Sequence, residues 1–271
     1  MRPAPPPFAR PPRGGVTWRL AGERLGLLAW PRAILLQLAH PLVAAGVAAH
    51  SGFRASPWAP YARLHSTTRA MRRLTFGSDA DAQTALAGIL RIHDRVHGAL
   101  GADVPPHHAG DAYSAHDPAL LLWVHATLLD SYARILGEVL GPVPARDLDA
   151  YCAESAGLAI ALGARDADVP RTWTALQTFM ADAVSSGQVS VGPDARELAP
   201  AILRPPLSWM AWPVRRAGEL VTVGSLPPSL RAQYGFTWTA DDERRRARTV
   251  ALVRSARAGL PLRLARWPES R

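Results

Sequence analysis

Apolar residues recur at helical spacing along most of this chain, and Pro, Gly and short polar side chains mark where each run stops. From Trp18 onward, Leu20, Leu25, Leu27 and Leu28 predict a first helix that closes at Trp30-Pro31. Ala33 to His50 is the most apolar stretch, long enough to raise the question of a membrane span. Gln37, His40, Pro41 and Gly46 interrupt it, and many of its apolar residues are Ala. The pattern therefore predicts a central buried helix pair bent at Pro41, with no transmembrane span. A helix over about Tyr61–Phe76 ends at Gly77. Ser78-Asp79 caps the next, which should run to about Leu100 and stop at Gly98 and Gly101.

A polar linker with Pro105-Pro106 and His107-His108 follows, and Asp117-Pro118 opens a long apolar helix reaching Leu140 and Gly141. Further helices are expected over Asp147–Leu162, Pro170–Val184 and Asp241–Ala258. Prolines punctuate residues 187–240, which predicts short helices and loops, with a little extended structure around Gln188–Val191 and Leu220–Val223. No internal repeat and no run of alternating strands is present. The expected fold is all-α, a single multi-helix domain built on buried central helices. Residues 1–15 should be a disordered Pro/Arg-rich tail, residues 16–262 the helical domain, and residues 263–271 a flexible C-terminus.

Composition changes this picture little. A hydrophobic share of 48% and a charged share of 20% belong to a globular chain that can bury a core without staples. One cysteine, Cys152, excludes an intramolecular disulfide, and no apolar run near Met1 could serve as a signal-peptide core, so a cytoplasmic location is expected. The net charge of +9 is carried by arginine alone, because the chain has no lysine. No zinc finger, basic zipper or RNA-binding aromatic motif accompanies that charge, so no specific nucleic-acid partner is expected.

The candidate chemistry lies in the histidines. All nine fall between His40 and His125, and imidazole is both the commonest neutral metal ligand and the usual acid–base group near neutral pH. His107, His108 and His116 sit in a polar loop and read as surface or capping residues. His93 shares helical spacing with Leu86, Ile89, Leu90, Val96 and Leu100, so it should project inward, one turn before His97. A buried imidazole must satisfy both ring nitrogens, and binding a metal is one solution. The chain has no G-x-S-x-G, P-loop, dinucleotide fingerprint or H-E-x-x-H motif, and no inward E-x-x-H pairs for a di-metal bundle. A site rich in His and Arg but poor in carboxylates suits an anionic prosthetic group such as haem.

Five segments, Leu35–Ser51, Ala62–Gly77, Ile92–Gly98, Tyr113–Ser131 and Asp147–Ser155, occur in an order and spacing that resemble the MpaB-type and rubber-oxygenase (latex-clearing protein) catalytic domain, from about Trp18 to Asp182. The resemblance implies an all-α fold enclosing a haem pocket with haem b and its iron. It implies a proximal histidine in an H-x-x-V motif, here His93 with Val96; His97, expected on the same helical face, is a further cofactor-binding candidate. It also implies a distal R-x-x-K-T motif, whose positions here read Arg63, Ser66 and Thr67. The distal lysine is thus a serine, and a lysine-capped iron is impossible in this chain. Arg63 and Thr67 are the implied catalytic and cofactor-contacting residues. Dioxygen and a small apolar organic substrate lying near Leu121 and Trp123 are the implied reactants, with a redox partner and the oligomeric state left open. Two alternatives stand beside this reading. One is a metal-dependent phosphohydrolase of the HD type using His65, His93, Asp94 and Asp130. The other is a non-catalytic carrier of haem or an apolar ligand.

Overall fold

The computed structural model describes residues 8–52, 58–204 and 212–271. The first seven residues of the expected tail, and residues 205–211 of the proline-punctuated region, lie outside the described residues. Among the described residues the fold is all-α, with thirteen α-helices and one small antiparallel pair of strands.

The centre is α2 (Trp30–Leu38), where eight of nine residues are buried, the pattern of a helix apolar on every side. Leu35, Leu36 and Leu38 are fully buried, each contributing roughly 1.5–3 kcal/mol relative to exposure. Pro31 at the second position lets α2 start without losing a hydrogen bond, the first-turn place that its missing N–H suits. Ahead of it, the Leu25–Leu28 run is a 3-10 helix over Arg24–Ala29 that follows the short α1 (Val16–Ala21). The expected bend at Pro41 is present. His40 adopts an extended backbone before the proline, and α3 (Pro41–His50) leaves the Arg24–Leu38 axis at 110°.

Around α2 pack α6 (Pro118–Leu140) and α9 (Pro193–Leu203), and α7 (Ala145–Leu162) and α8 (Trp173–Ser185) close the core from the far side of α6. Asp117 caps α6 as its sequence signature requires, accepting from the Ala119 and Leu120 amides. By length and composition α6 could cross a membrane, yet 72% of its apolar window is buried within the fold, the position of a core helix. Trp123 Nε1 donates to the Leu36 carbonyl at 3.1 Å, and Tyr234 Oη to the Leu35 carbonyl at 2.6 Å. Both bonds tie neighbours to the end of α2. One charged network sits in this core. Arg32 and Asp130, each almost fully buried, pair at 2.6 Å, and Ser131, Ser225, Arg134 and Gln177 supply further hydrogen bonds.

Helices α4 (Ala59–Phe76) and α5 (Asp79–His93) form an antiparallel hairpin through Gly77 and Ser78. A capping box at Ser78 and Asp81 fixes the start of α5. The expected continuation of α5 to Leu100 does not occur. The helix stops at His93, and residues 97–99 become β1, paired antiparallel with β2 (Ala112–Ser114). Packing explains the difference. A Cβ at Gly98 would meet the Tyr113 hydroxyl at 2.6 Å, so the glycine permits close strand approach where a helix would carry it away. Leu220–Val223, expected to be extended, lies within α10 (Trp212–Gly224). Leu220, Val221 and Val223 are buried there, and tertiary burial overrides the strand preference of the valines.

The chain ends are held by specific contacts. Arg10, in the segment expected to be a tail, donates to the carbonyls of Leu74, Thr75 and Gly77 and pairs with Asp79 at 2.7 Å. At the C-terminus, α11 (Pro228–Gln233), α12 (Ala240–Ala258) and α13 (Leu262–Ala265) follow one another. The Trp267 amide then donates to Gly22 at 2.9 Å, and Trp267 lies between the guanidiniums of Arg24 and Arg72.

Candidate functional site

The α4–α5 hairpin brings the sequence-derived residues to one end. Arg63 lies thirteen residues before the end of α4, and His93 fourteen residues after the start of α5, so both sit at the end remote from the turn. Helical periodicity puts Arg63, Thr67, Met71 and Leu74 on one stripe of α4. Met71 and Leu74 pack there against Leu86 and Leu90 of α5, so the stripe faces α5. Arg63 and Thr67 are half-buried, and burial pushes the Arg63 guanidinium below its ordinary value. Ser66, in the place of the distal lysine, is exposed, and its hydroxyl donates back to the Arg63 carbonyl at 2.9 Å. It makes no reach across the hairpin.

His93 is half-buried at the last position of α5, and its Nδ1 is buried without a hydrogen-bond partner. Burial, followed by the neighbouring His116 imidazole, pushes its pKa down to about 4 against the weaker pull of Asp94. The ring is therefore neutral at physiological pH, with a lone pair free for a metal. His116 stands edge-on to it, ring centres 5.9 Å apart, and Nε2 of His116 donates to Asp94 at 2.8 Å. His97 is not beside His93 on a helix. It is exposed on β1, and its carbonyl receives His50 Nε2 at 3.2 Å.

A second imidazole pair lies nearby in the chain. His40, at the bend between α2 and α3, is 5.3 Å from His107, ring centre to ring centre. Burial, then His107, pushes His40 down to about 4. His40 Nδ1 and His107 Nε2 are both buried without partners. His125, on α6, is buried with Nε2 unpartnered and is likewise pushed down to about 4 by burial. Sequence reasoning assigned His107 and His116 to a solvent-facing loop. The segment after β1 folds back so that both reach the histidines of other elements. Only the Asp117-Pro118 helix start, which pins the end of that loop, could have hinted at it.

The donor set fits haem in one respect: a neutral imidazole with a buried, unsatisfied nitrogen shares a hairpin end with a half-buried arginine. It does not fit the phosphohydrolase. Among the described residues no three His, Cys, Asp or Glu side chains gather as a metal site. Asp130 is committed to Arg32 and Arg134, and His65 is exposed on another face of α4. Leu121 and Trp123 are packed into the core. A cavity of about 750 Å³ lies on the side of α4 opposite Arg63 and Thr67, lined by Leu64, His65, Arg69, Arg72 and Trp267 among others. It does not include His93.

Compared with known families, residues 18–255 match the one described as ER-bound oxygenase mpaB/B'/Rubber oxygenase, catalytic domain. No curated protein and no solved structure matches the chain. The matched span begins within α1 and continues through most of α12, and so contains Arg63, Thr67, His93 and His97.

Proposed function

Because the chain belongs to the mpaB/rubber oxygenase catalytic-domain family, we propose that it is a haem b-dependent oxidoreductase of the oxygenase type, acting on a small apolar organic substrate with dioxygen. The family supports oxygenase-like activity, and the observation that carries the finer reading is His93. It is the neutral imidazole at the end of α5 whose buried Nδ1 has no partner.

In this reading His93 would hold the iron, and haem when bound would supply the oxygen-binding and redox chemistry that no protein side chain offers. The His116–Asp94 hydrogen bond fixes the imidazole that flanks His93 edge-on, which restricts where the His93 ring can turn. Arg63, a half-buried cation on the α4 stripe facing α5, would neutralise an anionic group of the cofactor or supply positive charge to the oxidation chemistry. The Thr67 hydroxyl, one turn along the same stripe, donates or accepts a hydrogen bond on that side. Ser66 is too short, and too committed to its own helix, to act as a lysine would. The assignment rests on His93 and not on His97, whose side chain is exposed on β1.

The test is the absorption spectrum of protein expressed with added haem precursor, for wild type, His93→Ala, Arg63→Ala and Thr67→Ala. Wild type should show a Soret band and the pyridine haemochrome signature of haem b, and His93→Ala should lose both. Arg63→Ala and Thr67→Ala should keep haem while substrate-dependent oxygen uptake falls at least about tenfold. A wild-type protein with no Soret band that also fails to bind added hemin would falsify the reading.

A further inference from the structure

Helix α12 and the residues after it carry a surface that the oxygenase reading does not use. From Arg244 to Pro268 the chain holds eight arginines and no acidic residue. The helix sorts its arginines by side. Arg246 pairs with Glu138, Arg254 donates to the Glu138 carbonyl, and Arg257 grips Glu23 through two hydrogen bonds of 3.0 Å. These three hold the helix to the body of the protein. On the opposite side Arg248, Leu252, Ser255, Ala256 and Gly259 recur at three- and four-residue spacing, and all are exposed.

Residues 258–264, Ala-Gly-Leu-Pro-Leu-Arg-Leu, follow in the chain, every one of them exposed. Leu252 is 71% exposed, Leu262 65%, Leu264 52% and Leu260 42%. Single exposed leucines are ordinary on a protein surface, whereas several on consecutive elements mark an interaction site. Arg248 and Arg263 flank them and have no carboxylate partner among the described residues. Aliphatic side chains beside unneutralised arginines match the two attractions that hold a peripheral protein on a bilayer, apolar insertion and charge.

We propose that this surface docks the protein on an anionic phospholipid bilayer. Leu260, Leu262 and Leu264 enter the boundary between headgroups and acyl chains, and Arg248 and Arg263 pair with lipid phosphates. Charge selects this occupant. A second copy would set two acid-free, arginine-rich faces against each other. Single-stranded nucleic acid would call for aromatic platforms where the surface presents leucine. The family match ends at residue 255, so most of the surface lies beyond the part shared with that family, and the proposal does not depend on the cofactor.

The experiment is co-sedimentation of the full chain with vesicles of phosphatidylcholine alone and of phosphatidylcholine mixed with phosphatidylglycerol, across a salt series. Wild type should bind the mixed vesicles, bind phosphatidylcholine alone more weakly, and release as salt screens the charge. Combined Leu260→Ser, Leu262→Ser and Leu264→Ser should cut binding at least about tenfold. Arg248→Gln and Arg263→Gln should each cut it about fivefold. All these side chains are exposed, so thermal melting should stay at the wild-type value and serves as the folding control. The proposal is overturned if wild type ignores mixed vesicles or if the triple leucine variant binds them undiminished. It is equally overturned if the variant loses self-association or duplex DNA binding with vesicle binding intact.

Discussion

Nε2 of His116 donates to Oδ1 of Asp94 at 2.8 Å across 22 positions of sequence, which sets the His116 ring edge-on to His93. A loop histidine and a helix-capping aspartate thereby flank the imidazole proposed to hold iron. Asp94→Asn and His116→Ala are each expected to weaken hemin affinity about two- to tenfold, the worth of one edge-on ring contact. The double variant should be little worse than the weaker single one, because both remove the same support. Titration of hemin at the Soret maximum measures this, and additive losses would show that the two residues act separately.

Three imidazoles, His40, His93 and His125, are held neutral by burial, each pushed from 6.5 down to about 4. Between those values the unfolded chain binds protons that the native protein refuses, so stability falls as pH drops through the window and is complete above it. The melting temperature should be level above about pH 7 and decline steadily towards pH 4. His125→Leu removes one of the three contributions and should narrow the difference between melting at about pH 7 and about pH 5. A variant curve parallel to wild type would show that the burial of His125 does not couple to stability.

The Arg32–Asp130 pair predicts an asymmetry between breaking and replacing a buried charge. Burial alone would raise the Asp130 carboxyl, yet the Arg32 and Arg134 guanidiniums hold it below the usual carboxylate range. Asp130→Asn leaves Arg32 charged and uncompensated in the core, at a cost of about 3–5 kcal/mol. Replacing both, with Arg32→Met and Asp130→Leu, should recover much of that loss. Urea denaturation at neutral pH distinguishes the two. Equal losses would mean that the pair contributes more than mutual neutralisation.

At Gly157 the reason for the glycine is contact. A Cβ there would collide with the Ala9 carbonyl oxygen, so Gly157→Ala must push the N-terminal segment off α7. Phe8 and the Arg10 contacts to Leu74, Thr75, Gly77 and Asp79 should be lost with it. The expected result is faster proteolysis ahead of Gly15 and a cost of about 1–3 kcal/mol, the range for overpacking. Unchanged cleavage would mean that the segment shifts without detaching.

What the sequence by itself determined was written in local chemistry. Asp117-Pro118 and Gly141 bound α6, Gly77 and Ser78 turn α4 into α5, and Pro41 breaks the apolar run into two helices. In each case a cap, a missing amide proton or a missing Cβ acts within a few residues of where it sits in the chain. The segments that carry the family resemblance were legible for the same reason, since the residues of each lie close together in sequence. Contacts between distant segments were decided only by tertiary structure. Residues 97–99 have a helical apolar pattern, but the strand at 112–114 and the Tyr113 ring across Gly98 claim them, which turns His97 to solvent. Leu220–Val223 favours a strand by residue type and is helical by burial. His107 and His116 lie in a polar stretch, yet reach His40 and His93 because that stretch folds back on the hairpin. Spacing along one chain specifies which face of a helix a histidine occupies. Which partner meets that face depends on the path of every other segment.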